Sequence, residues 1–304
     1  MKKLFFIISL IIFSNGSLAK EVVTIYWGWG AADSLANISR TLAHEANQIQ
    51  NKYTFVFDVK PGAGNAIADQ HVDRTANTIL MSSPAFFIRP NFYPNESYNL
   101  GNFRPLLAQC TAPLGIASVR YKSWDEVPKD KPLNMGISSL GTTTHLTALQ
   151  VVSKYKNIQL VPFKSTVDSL LATIAGTVDF SVGFLAEEEA WGDTKGKVKV
   201  NILGITGAKS INKHPTLVSQ GFSQPLSAMS AAHGLYVSSE VTSDKKYNEL
   251  RKILFNAANT TSVLNSYKPD HCQPLSDMTD KELQEWFVAQ IKLWKDLSAG
   301  VTLN

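Results

Sequence analysis

Cysteine, long apolar runs and clustered charge are all scarce in this chain of 304 residues. Cys110 and Cys272 are the only two thiols. That count excludes a disulfide-dense small fold, and the wide spacing disfavours a four-ligand structural zinc site. Two readings of the pair stand: one bridge, or two buried free thiols. The apolar run Leu4 to Phe13, broken by Ser9, is too short to span a membrane. With Lys2 and Lys3 before it and the small residues Ser17 and Ala19 after it, it reads as a secretory signal peptide over residues 1–19, cleaved after Ala19. An N-terminal anchor is the other reading. No cysteine follows the run to accept a lipid.

Charge is nearly even. Lysine and arginine total 29 against 25 acidic residues, and removal of the leader takes Lys2 and Lys3 away, leaving +2. No concentrated basic face results, so nucleic acid is not an expected partner. Lys195-Gly-Lys197-Val-Lys199 is interrupted and reads as a solvated loop or strand edge. Catalytic signatures are missing too. No Gly-x-Ser-x-Gly elbow or His-Glu-x-x-His pair occurs, and Gly136-Ile-Ser138-Ser-Leu-Gly141 has the wrong spacing for an elbow. Glu187-Glu188-Glu189, the one acidic run, reads as a solvated helix face. No cofactor or metal site is expected. An ordinary hydrophobic content of 44% excludes disorder, collagen and coiled coil, and the length suggests about two domains.

What is present is alternation. Val22 to Trp27, Tyr53 to Val59, Thr78 to Met81, Leu133 to Ile137, Gln159 to Phe163, Val178 to Val182 and Val200 to Ile205 read as strands. Between them, Leu35, Ile38, Leu42, Ala46 and Ile49 repeat at helical spacing. Leu146 to Tyr155 and the Val167, Leu170, Leu171, Ile174 series also read as helices. The pattern predicts an α/β fold on largely parallel sheets. Near the C-terminus, Thr279 and Glu282 have capping-box spacing. Leu283, Trp286, Phe287, Ile291, Trp294 and Leu297 then mark one helix face, read as core.

Three strand-to-helix loops sit where open α/β sheets bind ligands, beside helix N-termini that suit an anion. In Trp27-Gly28-Trp29-Gly30-Ala31-Ala32-Asp33, Asp33 is either an N-cap or a ligand contact, and the tryptophans are either core or pocket wall. Pro61-Gly62-Ala63-Gly64-Asn65 opens a helix carrying Ile67 and Val72, but it lacks the lysine of a phosphate loop. Ser138-Ser139-Leu140-Gly141-Thr142-Thr143-Thr144-His145 places five hydroxyls around one glycine, a neutral cup for a carboxylate. His145 makes either a structural hydrogen bond or a ligand contact.

Taken together, these segments resemble the periplasmic solute receptors of tripartite tricarboxylate transporters, the Bug family. Pro61-Gly62-Ala63-Gly64-Asn65 is similar to the family's Pro-Gly-Ala-Gly-Gly. Arg89-Pro90-Asn91-Phe92-Tyr93 and Tyr98 through Pro105 follow two further stretches. Ser138 through Leu146 keeps its Ser-x-x-Gly-Ser/Thr-x-x-His-Leu signature. Pro162-Phe163-Lys164-Ser165 and Ala175-Gly176-Thr177-Val178-Asp179 complete the series. The resemblance implies a periplasmic-binding-protein clamshell of two α/β lobes with two crossovers: residues 20–108 plus 229–304, and 109–228. It implies a small carboxylated solute in the cleft, integral membrane transporter subunits as partners, a monomer and a periplasmic location. The ligand-binding set expected from it is Trp27, Trp29, Gly30, Asp33, Ser83, Ser138, Ser139, Gly141, Thr142, Thr143, His145, Phe163 and Asp179.

Departures from the family pattern cluster in the first loop. Ile25-Tyr26 stands for Pro-Phe, Trp29-Gly30 for Gly-Gly and Asn37 for an arginine. Trp29 there suggests an aromatic wall. Ala232-His233-Gly234-Leu235 lacks the tryptophan of the second crossover. Arg89 stands where asparagine is usual, and reads as exposed or as a ligand contact. Rival functions are a receptor for another transporter class or a sensor kinase, a secreted hydrolase, and a ligand-free interaction protein.

Overall fold

The computed structural model describes residues 19–95, 98–192 and 198–301. The expected leader, apart from Ala19, and most of the Lys195–Lys199 cluster lie outside the described residues.

The first half of the chain winds β1 (Glu21–Trp27), α1 (Ser34–Gln48), β2 (Tyr53–Val59), α2 (Ala66–Arg74), β3 (Thr78–Ser82) and α3 (Ala85–Phe92). Val23, Ile25 and Trp27 alternate inward along β1, while Leu35, Ile38, Leu42 and Ala46 give α1 one buried face against it. β1 pairs in parallel with both β2 and β3. The chain then leaves through β4 (Phe103–Ala112), turns at Pro113 and enters a second sheet with β5 (Leu114–Ser118).

That second sheet adds β6 (Leu133–Ile137), α4 (Thr143–Lys154), β7 (Ile158–Pro162), α5 (Thr166–Ile174), β8 (Phe180–Phe184), α6 (Leu185–Gly192) and β9 (Asn201–Ile205). The return is β10 (Ala231–Ser238). It is followed by α7 (Asp244–Ala258), α8 (Thr261–Ser266), the short β11 (Gln273–Pro274) and α9 (Asp280–Ser298). One sheet runs β11-β4-β10-β3-β1-β2 and the other β7-β6-β8-β5-β9.

The sheets are mixed, not largely parallel as expected. β10 pairs antiparallel with β3 and β4, and β5 pairs antiparallel with β8 and β9. The reason is the connectivity. A strand that enters a lobe from the crossover, β5 in the second sheet and β10 in the first, starts at the end where the β–α–β strands finish and so runs against them. β4 also lacks turn residues at its middle, so it continues through Gln109, and the change of sheet falls at Pro113.

Two tertiary ties close the first lobe. Cys110 on β4 is bridged to Cys272 beside β11, with Cα atoms 5.5 Å apart. α9 starts from a complete Thr279–Glu282 capping box and lays Phe287 against Phe87 and Tyr236. Trp294 is fully buried there.

The Glu187–Glu189 run on α6 overturns the reading of a solvated face. Glu188 is 1% exposed, with its carboxyl in the space left by Gly115 and Gly183, where a side chain on Gly115 would collide with it. Burial raises its pKa well above the carboxylate range, and Glu187 adds to the shift. Glu187 Oε2 accepts a bond from Thr166 at 2.7 Å. Glu189 accepts from Nε2 of His214 at 2.9 Å and of His271 at 2.5 Å, so a second-lobe helix touches the segment next to the disulfide. Three adjacent acids have no single solvent side on a helix, since neighbouring residues point about 100° apart.

Candidate functional site

The carboxyl ends of β1 and β3 in one lobe and of β6 and β8 in the other face a shared cavity. The space between the lobes measures about 410 Å3. Trp27, Trp29, Asp33 and Ser83 line it from the first lobe. Ser138, Thr142 and Thr143 line it from the second.

Asp33 stands at the N-cap position of α1, yet its side chain makes no cap bond. The capping role is thereby excluded. Its Oδ2 accepts from Trp27 Nε1 at 3.1 Å, and the Gly30 backbone N–H also bonds the carboxylate. Asp33 is 6% exposed, and burial raises its pKa to about 6 in spite of both bonds. Trp27 belongs to the first-lobe core and supplies cavity wall with the same ring, while the half-buried Trp29 forms the outer wall. Gly30 shapes the loop around Asp33 and does not itself line the space. The loop can lie so low because Gly28 has no Cβ; one there would overlap Asn65, whose amide reaches Asp69 and Ser82.

Opposite, the hydroxyls of the Ser/Thr loop form an ordered chain. Thr142 donates to the Ser139 carbonyl at 2.8 Å. With that proton committed, Thr144 donates to Thr142 at 3.0 Å and Ser138 donates to Thr144 at 2.9 Å. Thr142 also caps α4 by accepting from the His145 N–H. Three of the hydroxyl protons are therefore used inside the loop. Thr143 and Thr144 line the cavity, and the donors left there are the Thr143 hydroxyl and the two N–H groups, which have no intrahelical acceptor at a helix start. An anion here would be met mainly by backbone N–H groups and the helix dipole.

His145 supports that loop rather than lining the cavity. The Gly141 N–H donates to its Nδ1 at 3.2 Å, and burial lowers its pKa to about 4, so the ring is neutral at physiological pH. Gly141 has φ +68°, which favours glycine, and a side chain there would press on Tyr93 of the first lobe. Ser139 is half-buried outside the cavity lining, close to Gly64 across the lobe boundary. Phe163 packs over Gly136 behind β6. Asp179 lies away from the cleft; it pairs with Arg120 and accepts from the Asn134 N–H at 2.8 Å, tying β5, β6 and β8. Arg89 is buried rather than exposed, with its guanidinium 4.4 Å from the Tyr93 ring centre, and it does not line the cavity.

Sequence reasoning missed Leu114, Phe184, Ser165 and Thr166, which also line the space, as does Thr144. Ser165 and Thr166 carried a usable signal: a hydroxyl pair between a strand and a helix, where Ser165 caps α5 at 3.0 Å. Leu114 and Phe184 carried none: Leu114 starts β5 just past the change of sheet and Phe184 ends β8, and an apolar residue at a strand end reads as core. A hollow along edge strand β9 is larger, about 1640 Å3, but it is lined by the second lobe alone.

Similar folds are known. BugD, a periplasmic binding protein, is 21% identical, covering 91% of this chain and 96% of its own, with a TM-score of 0.81. An R. palustris protein solved with adipate is 17% identical over 93% and 97%, with a TM-score of 0.78. MatC from Rhodopseudomonas palustris, with bound malate, is 16% identical over 91% and 98%, with a TM-score of 0.77. No curated protein matches the chain in sequence. Residues 38–266 match the model of the tripartite tricarboxylate transporter family receptor, well over half the chain, and the protein belongs to that family.

Proposed function

We propose that this chain is an exported receptor that closes two lobes on a small carboxylated solute and delivers it to integral membrane transporter subunits. The observation that carries this reading is the cavity between the lobes, with the start of α4 facing Asp33 and Trp29. A carboxylate at that helix start gains N–H donors and the positive dipole end without a buried cation. Adipate and malate in two fold relatives support an acid as the ligand class. With both lobes lining the cavity, parting of the lobes admits the solute. A ligand touching both lobes favours the closed state by its differential affinity.

The lobes are residues 20–112 plus 229–304 and residues 113–228, with the first boundary four residues beyond the expected 108, and the receptor acts as a monomer in the periplasm after cleavage at Ala19. The two sheets, joined at Pro113 and between Ile205 and Ala231, support that division. No helix among the described residues is long and apolar enough to cross a membrane. A hydrolase is disfavoured because Ser138 Oγ engages Thr144 and His145 Nδ1 engages the Gly141 N–H, so neither bond makes a nucleophile–base pair.

The test is a thermal-shift panel of mono-, di- and tricarboxylates and amino acids on ligand-stripped protein. A saturable rise with at least one acid is expected. A flat response from folded protein would refute the receptor reading.

A further inference from the structure

The two sides of the cavity differ in charge and in hydrogen-bonding sense. The second lobe offers donors, the N–H groups of Thr143 and Thr144 and the Thr143 hydroxyl. The first lobe offers an acceptor. Among the described residues lining the space, Asp33 alone is ionisable; no lysine or arginine joins it. Its carboxylate is aimed by tertiary contacts rather than by its own helix. It occupies the N-cap position without capping, and the Trp27 indole and the Gly30 N–H hold it. Those two bonds leave about two of the four lone-pair sites of a carboxylate open. Trp29, Leu114 and Phe184 provide apolar wall between the two polar ends.

We propose that Asp33 selects solutes carrying an ammonium group as well as a carboxylate, so that the ligand class is a small zwitterionic amino acid rather than a simple mono- or diacid. The ammonium donates to Asp33 while the carboxylate sits at the start of α4. A ligand of that polarity matches the cavity end for end. A dicarboxylate of the same length brings a second negative charge against a buried acid with no cation to offset it, which opposes closure. Pairing with an ammonium offsets the desolvation that holds the Asp33 carboxyl up near 6.

This selectivity presupposes the carboxylate-receptor reading above, and matched pairs keep the two separable. Calorimetry at about pH 8, where Asp33 is ionised, compares L-norvaline with pentanoate, L-glutamate with glutarate, and L-phenylalanine with 3-phenylpropanoate. In at least one pair the amino acid is expected to bind about tenfold tighter or more, the scale of one charge-assisted hydrogen bond. In Asp33→Asn that preference falls toward parity, with the des-amino acid holding or gaining affinity. The wild-type comparison needs no variant, so it stands even if Asp33→Asn does not fold.

Three outcomes overturn the proposal. The des-amino acid equals or beats the amino acid in every pair that binds. A diacid binds tightly, with affinity rising as pH falls through about 6, which would make protonated Asp33 a donor to a second carboxylate. Or Asp33→Asn leaves the ratio unchanged. In all three the receptor reading survives. If no acid of either kind binds, both fall.

Discussion

Replacing Asp33 by asparagine should stabilise the ligand-free protein at neutral pH and leave it unchanged in acid. Burial moves this carboxyl from 3.8 to about 6, against the opposing hydrogen bonds from Trp27 and Gly30. Between those values the folded protein keeps a proton that the unfolded chain has released. Wild-type stability therefore falls as pH rises from about 4 to about 6 and is flat beyond. At 1.36 kcal/mol for each pKa step, the loss by neutral pH is about 3 kcal/mol. Asparagine keeps an oxygen for the Trp27 indole but brings an N–H2 that needs acceptors, so that figure is an upper bound. For a chain of this size it corresponds to a melting temperature higher by roughly 5 °C. Calorimetric melts of both proteins from about pH 3 to 8 would show the gain growing through the window and vanishing below about 4. A variant no more stable at neutral pH, or a gain independent of pH, would refute the account of Asp33 as a desolvated acid.

Thr142→Val breaks the hydroxyl chain and the α4 cap together, so it should cost about 1 kcal/mol of stability in a melt. It should also weaken acid binding by about three- to tenfold in calorimetry, equally for amino and des-amino ligands. Replacing Cys110 and Cys272 by alanine frees a loop with a sequence separation of 162. The chain-entropy estimate puts the destabilisation at about 5 kcal/mol, read as a lower denaturant midpoint that reductant reproduces in the wild type. Glu188→Gln should leave neutral-pH stability unchanged or raise it, because burial disfavours the charged form of the carboxyl. A large loss on urea unfolding would mean that Glu188 is ionised and paired.

Strand–helix alternation, the helix faces of α1 and α9 and the three loops were legible because each depends on neighbours in the chain. Leu35, Ile38 and Leu42 are buried at helical spacing, and Thr279 with Glu282 forms the box its spacing predicts. Sheet direction was not legible. β4, β5 and β10 belong to crossovers, and nothing local in their residues says that they run against their partners. The acids of α6 misled for the same reason: their surroundings are Gly115, Thr166, His214 and His271, all distant in sequence.

The scarcity of cysteine and of clustered charge already disfavoured a zinc-stapled or nucleic-acid-binding protein, and glycines and hydroxyls at strand ends pointed to two loops that line the cavity between the lobes. Those conclusions rest on composition and short-range spacing, which the sequence determines by itself. Tertiary structure alone decided that the two cysteines meet, that Thr142 spends its proton on Ser139, and that Asp33 turns from its own helix cap to the Trp27 indole. Each of these is a choice between partners of similar intrinsic strength. Distance and burial settle such choices, and both exist only once the two lobes are packed.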